Sequence, residues 1–201
     1  MTPKTKRFFS GVALLAAALI LSSCATAPPP PSAPGGFTGG SSGSDLVVRS
    51  TGFRFPARVG LFIRADSKQY DAAGQDLSVK YQAGAVVVAD IYDYPTGGKT
   101  LDTEFANRKD EIKSYHADAR LLREGEVTIH PGAKARHGRK AVFAVSQGYH
   151  YSFPPPYQSD LLVFQRGNRF LEYRFSYSAA HRAAAENEIA KFVDALPWPA
   201  D

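Results

Sequence analysis

Beyond residue 45 the chain alternates apolar and polar positions in short runs rich in β-branched and aromatic residues. Leu46–Arg49, Val59–Ala65, Leu77–Tyr81, Ala85–Tyr94, Glu126–His130, Lys140–Phe153, Asp160–Gln165 and Arg169–Tyr177 all read as strands, several of them separated by Gly, Asn or Asp breaks. Asp160–Tyr177 is the best-defined pair. A two-residue turn at Gly167-Asn168, with glycine first as a type II′ turn requires, sets Phe164 opposite Leu171 and Leu162 opposite Tyr173 on one side. Val163 then faces Glu172, with Leu161 near Arg174, on the other, so one side reads as core and the other as mixed. Two stretches change to helical spacing. In Thr100–Ala119 the apolar residues Leu101, Phe105, Ile112, Tyr115 and Ala119 recur near every third or fourth position, Thr100 is placed to cap, and Asp102 and Glu104 suit the first turn. In Ala179–Leu196 the stripe is Ala185, Ile189, Phe192, Val193 and Leu196, with Ser178 as cap and Pro197 as stop. The expected fold class is α+β, an antiparallel sheet of about six to eight strands packed against two main helices.

The first 45 residues follow a different pattern. Phe8–Leu21 is an unbroken apolar run apart from Ser10 and Gly11, preceded by Lys4, Lys6 and Arg7 and by no acid. Its 14 residues fall short of the ~20 a spanning helix needs, and the charged-then-apolar layout is that of a secretory signal. The run ends in Leu21-Ser22-Ser23-Cys24, which resembles the lipobox of bacterial lipoprotein signals. That resemblance implies removal of residues 1–23, a diacylglyceryl thioether on Cys24 and acylation of its new amine, for example with palmitate. Two or more chains hold a protein at a bilayer where one does so only marginally. Ala25, standing where aspartate would favour the inner membrane, implies the periplasmic face of the outer membrane.

Residues 24–45 are expected to be a lipidated linker, with Pro28–Pro31 as a stiff spacer and a Gly/Ser part after it. Residues 46–201 are expected to form a single domain. Charge adds little to this picture. The chain has 24 Lys and Arg against 19 Asp and Glu, but removing residues 1–23 leaves 21 against 19, so nucleic acid is not an expected partner; nor is a nucleotide, since Asp93 breaks the phosphate-loop pattern. Cys24 is the only cysteine, which excludes an intrachain disulfide.

"QDLSVKYQ…AVVVADIYDYP", then a helix, a long hairpin and a final "IAKFVDALPWP" resemble the Mog1/PsbP-like fold, which includes small envelope lipoproteins of the DcrB type. The resemblance implies an accessory or assembly role rather than a particular reaction.

Candidate chemistry is sparse. Gly98-Lys99-Thr100 after a strand is part of a phosphate-loop pattern, but Asp93 stands where the first glycine belongs. Ala144-Val145-Ser146-Gln147-Gly148 is one residue from a hydrolase elbow, yet Tyr149–Phe153 continues like a strand. His116, His130, His137, His150 and His181 show no ligand spacing, so no metal and no cofactor is expected. Asp71–Asp76 lacks the carboxylate series of a calcium loop and reads as a turn. Two patches carry binding candidates. Lys134, Arg136, Arg139 and Lys140, with His130 and His137, make an acid-free basic cluster suited to anions such as lipid phosphate. Tyr149, Tyr151 and Phe153 on one strand face, followed by prolines and Tyr157, could form a stacking surface for a sugar or peptide.

The expectation is therefore a lipid-anchored, periplasm-facing envelope lipoprotein that acts as a non-enzymatic binding or assembly module. Its partners would be the membrane, through the anchor, and envelope proteins or the cell-wall polymer. The alternatives are an envelope hydrolase with dispersed catalytic residues and a structural lipoprotein that binds the cell wall.

Overall fold

The computed structural model describes residues 35–40, 43–130, 135–147 and 153–198. All of them lie in one of the chain's two units, Ala33–Asp201. Among them are eleven strands and two α-helices. β1 (Phe37–Gly39), β2 (Leu46–Val48) and β3 (Arg54–Phe55) form a small sheet. β4 (Arg58–Val59), β5 (Phe62–Gln69), β6 (Leu77–Ala83), β7 (Val87–Pro95), β8 (Arg120–Ile129), β9 (Arg136–Val145), β10 (Tyr157–Arg166) and β11 (Arg169–Ser178) form the large one, in the order β4-β5-β6-β7-β11-β10-β9-β8. Every neighbouring pair is antiparallel. With α1 (Leu101–Tyr115) and α2 (Arg182–Ala195), this is the expected α+β architecture.

The connectivity decides what lies over each face. After β7 the chain leaves the middle of the sheet, runs through α1 and re-enters at the far edge as β8. It then returns strand by strand until β11 pairs with β7. α1 is thereby laid across β9 and β10, where Phe105 and Ile112 pack on Ala141, Phe143, Leu161, Val163 and Phe170. α2 follows β11 and covers the opposite face. Its Ala185, Ile189, Phe192 and Val193, with Leu196 beyond its end, join Tyr81, Tyr173, Phe175, the small sheet's Val48 and Phe55, and Phe53 just before β3 in the larger core.

Turn chemistry sets the β10–β11 register as expected: Phe164 opposes Leu171, Leu162 opposes Tyr173 and Val163 opposes Glu172. Gly167 takes a φ of 53°, a left-handed conformation that glycine adopts without strain. The second side of this hairpin is not a mixed surface, because α1 buries it too; Leu161, Val163 and Glu172 are all inaccessible. Gly138 serves packing rather than a turn. A methyl group there would lie 2.5 Å from the Phe164 ring, so the missing side chain is the space that ring occupies.

Four expectations change. Phe37–Gly39, within the expected linker, pairs with Leu46–Val48, because Phe37 can pack against the larger core. The strand expected over Lys140–Phe153 ends at Val145, and residues 148–152 lie outside the described ones. α1 stops at Tyr115, whose ring is 72% exposed instead of buried. Ser178 supplies no side-chain cap; it precedes a short 3-10 turn at Ala179–His181, and α2 begins at Arg182.

Candidate functional site

α1 covers only part of its face of the sheet, and a cleft opens where its cover ends. The polar half of this site begins with spacing. Glu104, Arg108 and Glu111 recur at four and three residues along α1, which places them on one face of the helix. Across from them, cross-strand pairing sets Glu172 of β11 opposite Tyr92 of β7, and alternation places Tyr94 and Arg174 on the same side. α1 closes over these residues and desolvates two carboxylates: Glu104 is fully buried and Glu172 is 1% exposed.

Ionised carboxylates are tolerated there only because each is paired. Glu104 receives Lys99 Nζ at 2.9 Å and Arg108 at 2.7 Å. Arg108 also reaches Glu111 at 2.8 Å and Glu172 at 3.3 Å. Arg174 contacts Glu172 and donates to Glu111 at 2.8 Å. The Tyr94 hydroxyl sits at the centre, donating to Glu172 Oε2 at 2.8 Å and accepting from Arg108 Nε at 3.1 Å. Burial by itself would raise the Glu104 carboxyl, but Lys99 and Arg108 outweigh it and hold the group below its ordinary value. Glu111 behaves alike: burial opposes the ionised form, and Arg174 and Arg108 prevail. Burial, then Glu172, push the Tyr94 phenol well above its ordinary value. The guanidiniums also stack, Arg108 4.8 Å from the Tyr94 ring centre and Arg174 5.4 Å from that of Tyr92.

Above this network lies a cavity of about 400 Å³ lined by Tyr70, Asp76, Tyr92, Tyr94, Tyr115 and the Arg–Glu groups, within the ~300–1,000 Å³ usual for small-ligand sites. Tyr70 and Tyr92 lie nearly parallel with ring centres 6.4 Å apart. Both also line a smaller cavity of about 180 Å³ over β5–β7, with Asp66, Lys68, Lys80 and Asp90. The two cavities meet at Tyr70 and Tyr92, which line both. A third cavity, about 290 Å³, lies on the other face between β8–β10 and α2 and is lined by Val127, Ile129, Leu162, Ile189 and Val193.

The candidates named from sequence lie elsewhere. Cys24, with Leu21, Ser22 and Ser23, falls outside the described residues, as do Lys134, Tyr149 and Tyr151. Arg136, His137, Arg139 and Lys140 lie in β9. Arg139 pairs with Asp102 at 3.1 Å, while Lys140, on the opposite face of β9, pairs with the buried Asp160 at 2.8 Å. Arg136 stacks over Trp198. Strand alternation thus separates charges that are adjacent in sequence. Phe153 and Tyr157 are buried together with Val88 and Val145, so these two rings pack in the interior. The Gly98-Lys99-Thr100 segment starts α1: Thr100 Oγ1 accepts from the Thr103 amide, and Asp93 holds Arg169 at 2.7 Å. Ser146 and Gln147 donate their amides to Asp118, both at 2.6 Å. His116, His130 and His137 meet Tyr157, Asp194 and Thr128 respectively. Among the described residues no three His, Cys, Asp or Glu converge as a metal site, and no helix is long and apolar enough to cross a membrane.

From sequence, Glu104 is expected at a helix dipole, Tyr115 in the core, and Glu172 and Arg174 only as register partners in the hairpin; Arg108 and Glu111 carry no expectation. The available signal was the 104–108–111 spacing, a charged stripe beside the apolar one.

No protein-family profile matches the chain, and no curated protein does. Solved structures of similar shape include cyanobacterial PsbP (CyanoP) from Synechocystis sp. PCC 6803, at 10% identity and a TM-score of 0.46, covering 79% of this chain and 89% of that one. A Pseudomonas aeruginosa protein of unknown function matches at 9% identity and a TM-score of 0.42, covering 82% and 99%.

Proposed function

We propose that the folded region is a non-enzymatic binding module of the cell envelope, held by lipid on Cys24 at the periplasmic face of the outer membrane, and that the tyrosine-lined cleft takes its ligand. One observation carries the second half of this reading. The cleft presents aromatic rings over a floor in which Lys99, Arg108, Arg174, Glu104, Glu111 and Glu172 are all committed to one another. With Glu104 held ionised and Tyr94 held protonated, neither exchanges a proton easily near neutral pH, as a general acid or base must. A rigid, charge-matched floor suits recognition instead. The first half rests on the Leu21–Cys24 motif and the positive-then-apolar leader before it.

Two measurements test the reading. Mass spectrometry of the mature protein from bacterial membranes should find a triacylated Cys24, and Cys24→Ala should release the protein from the membrane fraction; an unmodified amino terminus overturns the anchor. For the cleft, NMR screening of the mature Cys24→Ala chain against small ligands of mixed charge should perturb Tyr70, Tyr92 and Tyr115. A screen that leaves all three unmoved overturns the binding site.

A further inference from the structure

The cleft carries one more carboxylate than it has cations. Lys99, Arg108 and Arg174 are balanced by Glu104, Glu111 and Glu172, and all six are engaged in the contacts of the cleft floor. Asp76, from the β5–β6 turn, lines the same cavity as a fourth acid. Its backbone is pinned on both sides: its amide donates to Asp71 Oδ1 at 2.9 Å, and its carbonyl accepts from the Tyr70 amide at 2.8 Å. Its carboxylate, by contrast, holds no hydrogen bond or ion pair among the described residues. The cations that act on it do so from a distance. Arg108 is engaged as above, and Arg169 is bound to Asp93 and to the Gln75 carbonyl. Asp71, the other acid beside it, caps the amides of Gln75 and Asp76. Burial first and Asp71 second raise the Asp76 carboxyl above its ordinary value, as expected of an ionised group that lacks its counter-ion.

The rings point to the same ligand. The protein already uses Tyr94 and Tyr92 to stack its own guanidiniums, an attraction between a cation and the negative face of an aromatic ring. Tyr70 and Tyr115 line the cavity with exposures of 54% and 72%, large ring surfaces with no cation of the described residues over them. Aromatic walls with one unpaired carboxylate are the means by which proteins select organic ammonium groups. An anion would meet the excess negative charge and find both guanidiniums engaged.

On the reading that this cleft is the ligand site, we propose that it binds an alkylammonium group, either a free amine or a lysine side chain, against Tyr70 and Tyr115, with Asp76 as the counter-ion.

The test titrates the mature Cys24→Ala chain with pentylamine, pentyltrimethylammonium, pentanol and pentanoate, following the tyrosine resonances. Both cations should bind and perturb Tyr70 and Tyr115, while pentanol and pentanoate should bind at least about tenfold more weakly. Asp76→Asn should weaken pentylamine by about tenfold, and Tyr115→Ala should do so by several-fold. Should Asp76→Asn fail to fold, pH replaces it: affinity for pentylamine should fall as acid protonates Asp76, since the amine stays charged. A dissociation constant unchanged from about pH 7 to about pH 4 overturns the proposal. Pentanol binding as tightly as pentylamine at these tyrosines overturns the ammonium assignment and leaves the binding site standing. No response from any of the four probes, with a response to other small molecules, does the same; no response to any ligand removes both. A lysine tetrapeptide that binds more tightly than pentylamine assigns the group to a protein partner, and equal affinity assigns it to a free amine; either supports the proposal.

Discussion

α1 and α2 are nearly equal in length, 15 and 14 residues, and cover opposite faces of one sheet, yet they attach by different physics. α2 docks through an apolar stripe; Phe192 alone meets the rings of Phe62, Tyr81 and Phe175. Such contacts are non-directional and need only apolar surface opposite. α1 docks through Phe105 and Ile112, with Leu101 at their edge, and through Glu104, Arg108 and Glu111. Its ionic half works only if Tyr94, Glu172 and Arg174 arrive in register, and the Tyr94–Glu172 bond spans 78 residues of sequence. The apolar attachment leaves a mostly apolar cavity of about 290 Å³ beside α2. The ionic attachment ends in a rim of tyrosines and charge, and the cleft lies there.

The sharpest way to break the α2 side is Phe192→Ala, which should cost ~3–5 kcal/mol and lower the denaturation midpoint accordingly. Phe192→Leu should recover most of that, because volume and apolarity matter there more than specific partners. On the α1 side Glu104→Gln keeps the shape and removes the charge. It should cost ~2–3 kcal/mol, less than Phe192→Ala because Arg108 and Lys99 retain access to water. A Phe192→Ala loss smaller than the Glu104→Gln loss would reverse the comparison.

Acid sharpens the same contrast. Glu104 and Glu111 are held below the ordinary glutamate value of 4.5, so the stabilisation they provide is complete above that pH and is lost as pH falls through their depressed values. The difference in melting temperature between the native chain and Glu104→Gln should therefore be constant near neutrality and shrink below about pH 4.5. A difference that stays level down to pH 2 would show that Glu104 does not act through its charge. Phe192→Leu should show no such convergence.

The smallest predicted effect concerns the helix starts. Thr100 caps α1 with its side chain, whereas α2 has no side-chain cap. Thr100→Ala should cost ~1 kcal/mol and Ser178→Ala under ~0.5 kcal/mol, both measurable by urea unfolding. Equal losses would remove this part of the asymmetry.

What could be read in advance follows the same division. The β10–β11 register and the Ala185–Leu196 stripe were legible because a turn type and a period are local properties of the chain. The two- and three-residue strands β3 and β1 were not, since so short a segment has no period and is held by its neighbours. The basic cluster was divided for a related reason: charges adjacent in sequence alternate in a strand, so Arg139 and Lys140 went to different acids on different faces.

By itself, then, the sequence determined the α+β class, the strand order of its most regular hairpin and the buried side of α2, all consequences of short-range periodicity. Only the tertiary structure decided that α1 would span the path from β7 to β8, bury Glu104 against groups far along the chain, and leave Tyr70, Asp76 and Tyr115 facing one cavity. Ion pairing and cavity shape depend on which distant side chains meet, and no local period encodes that.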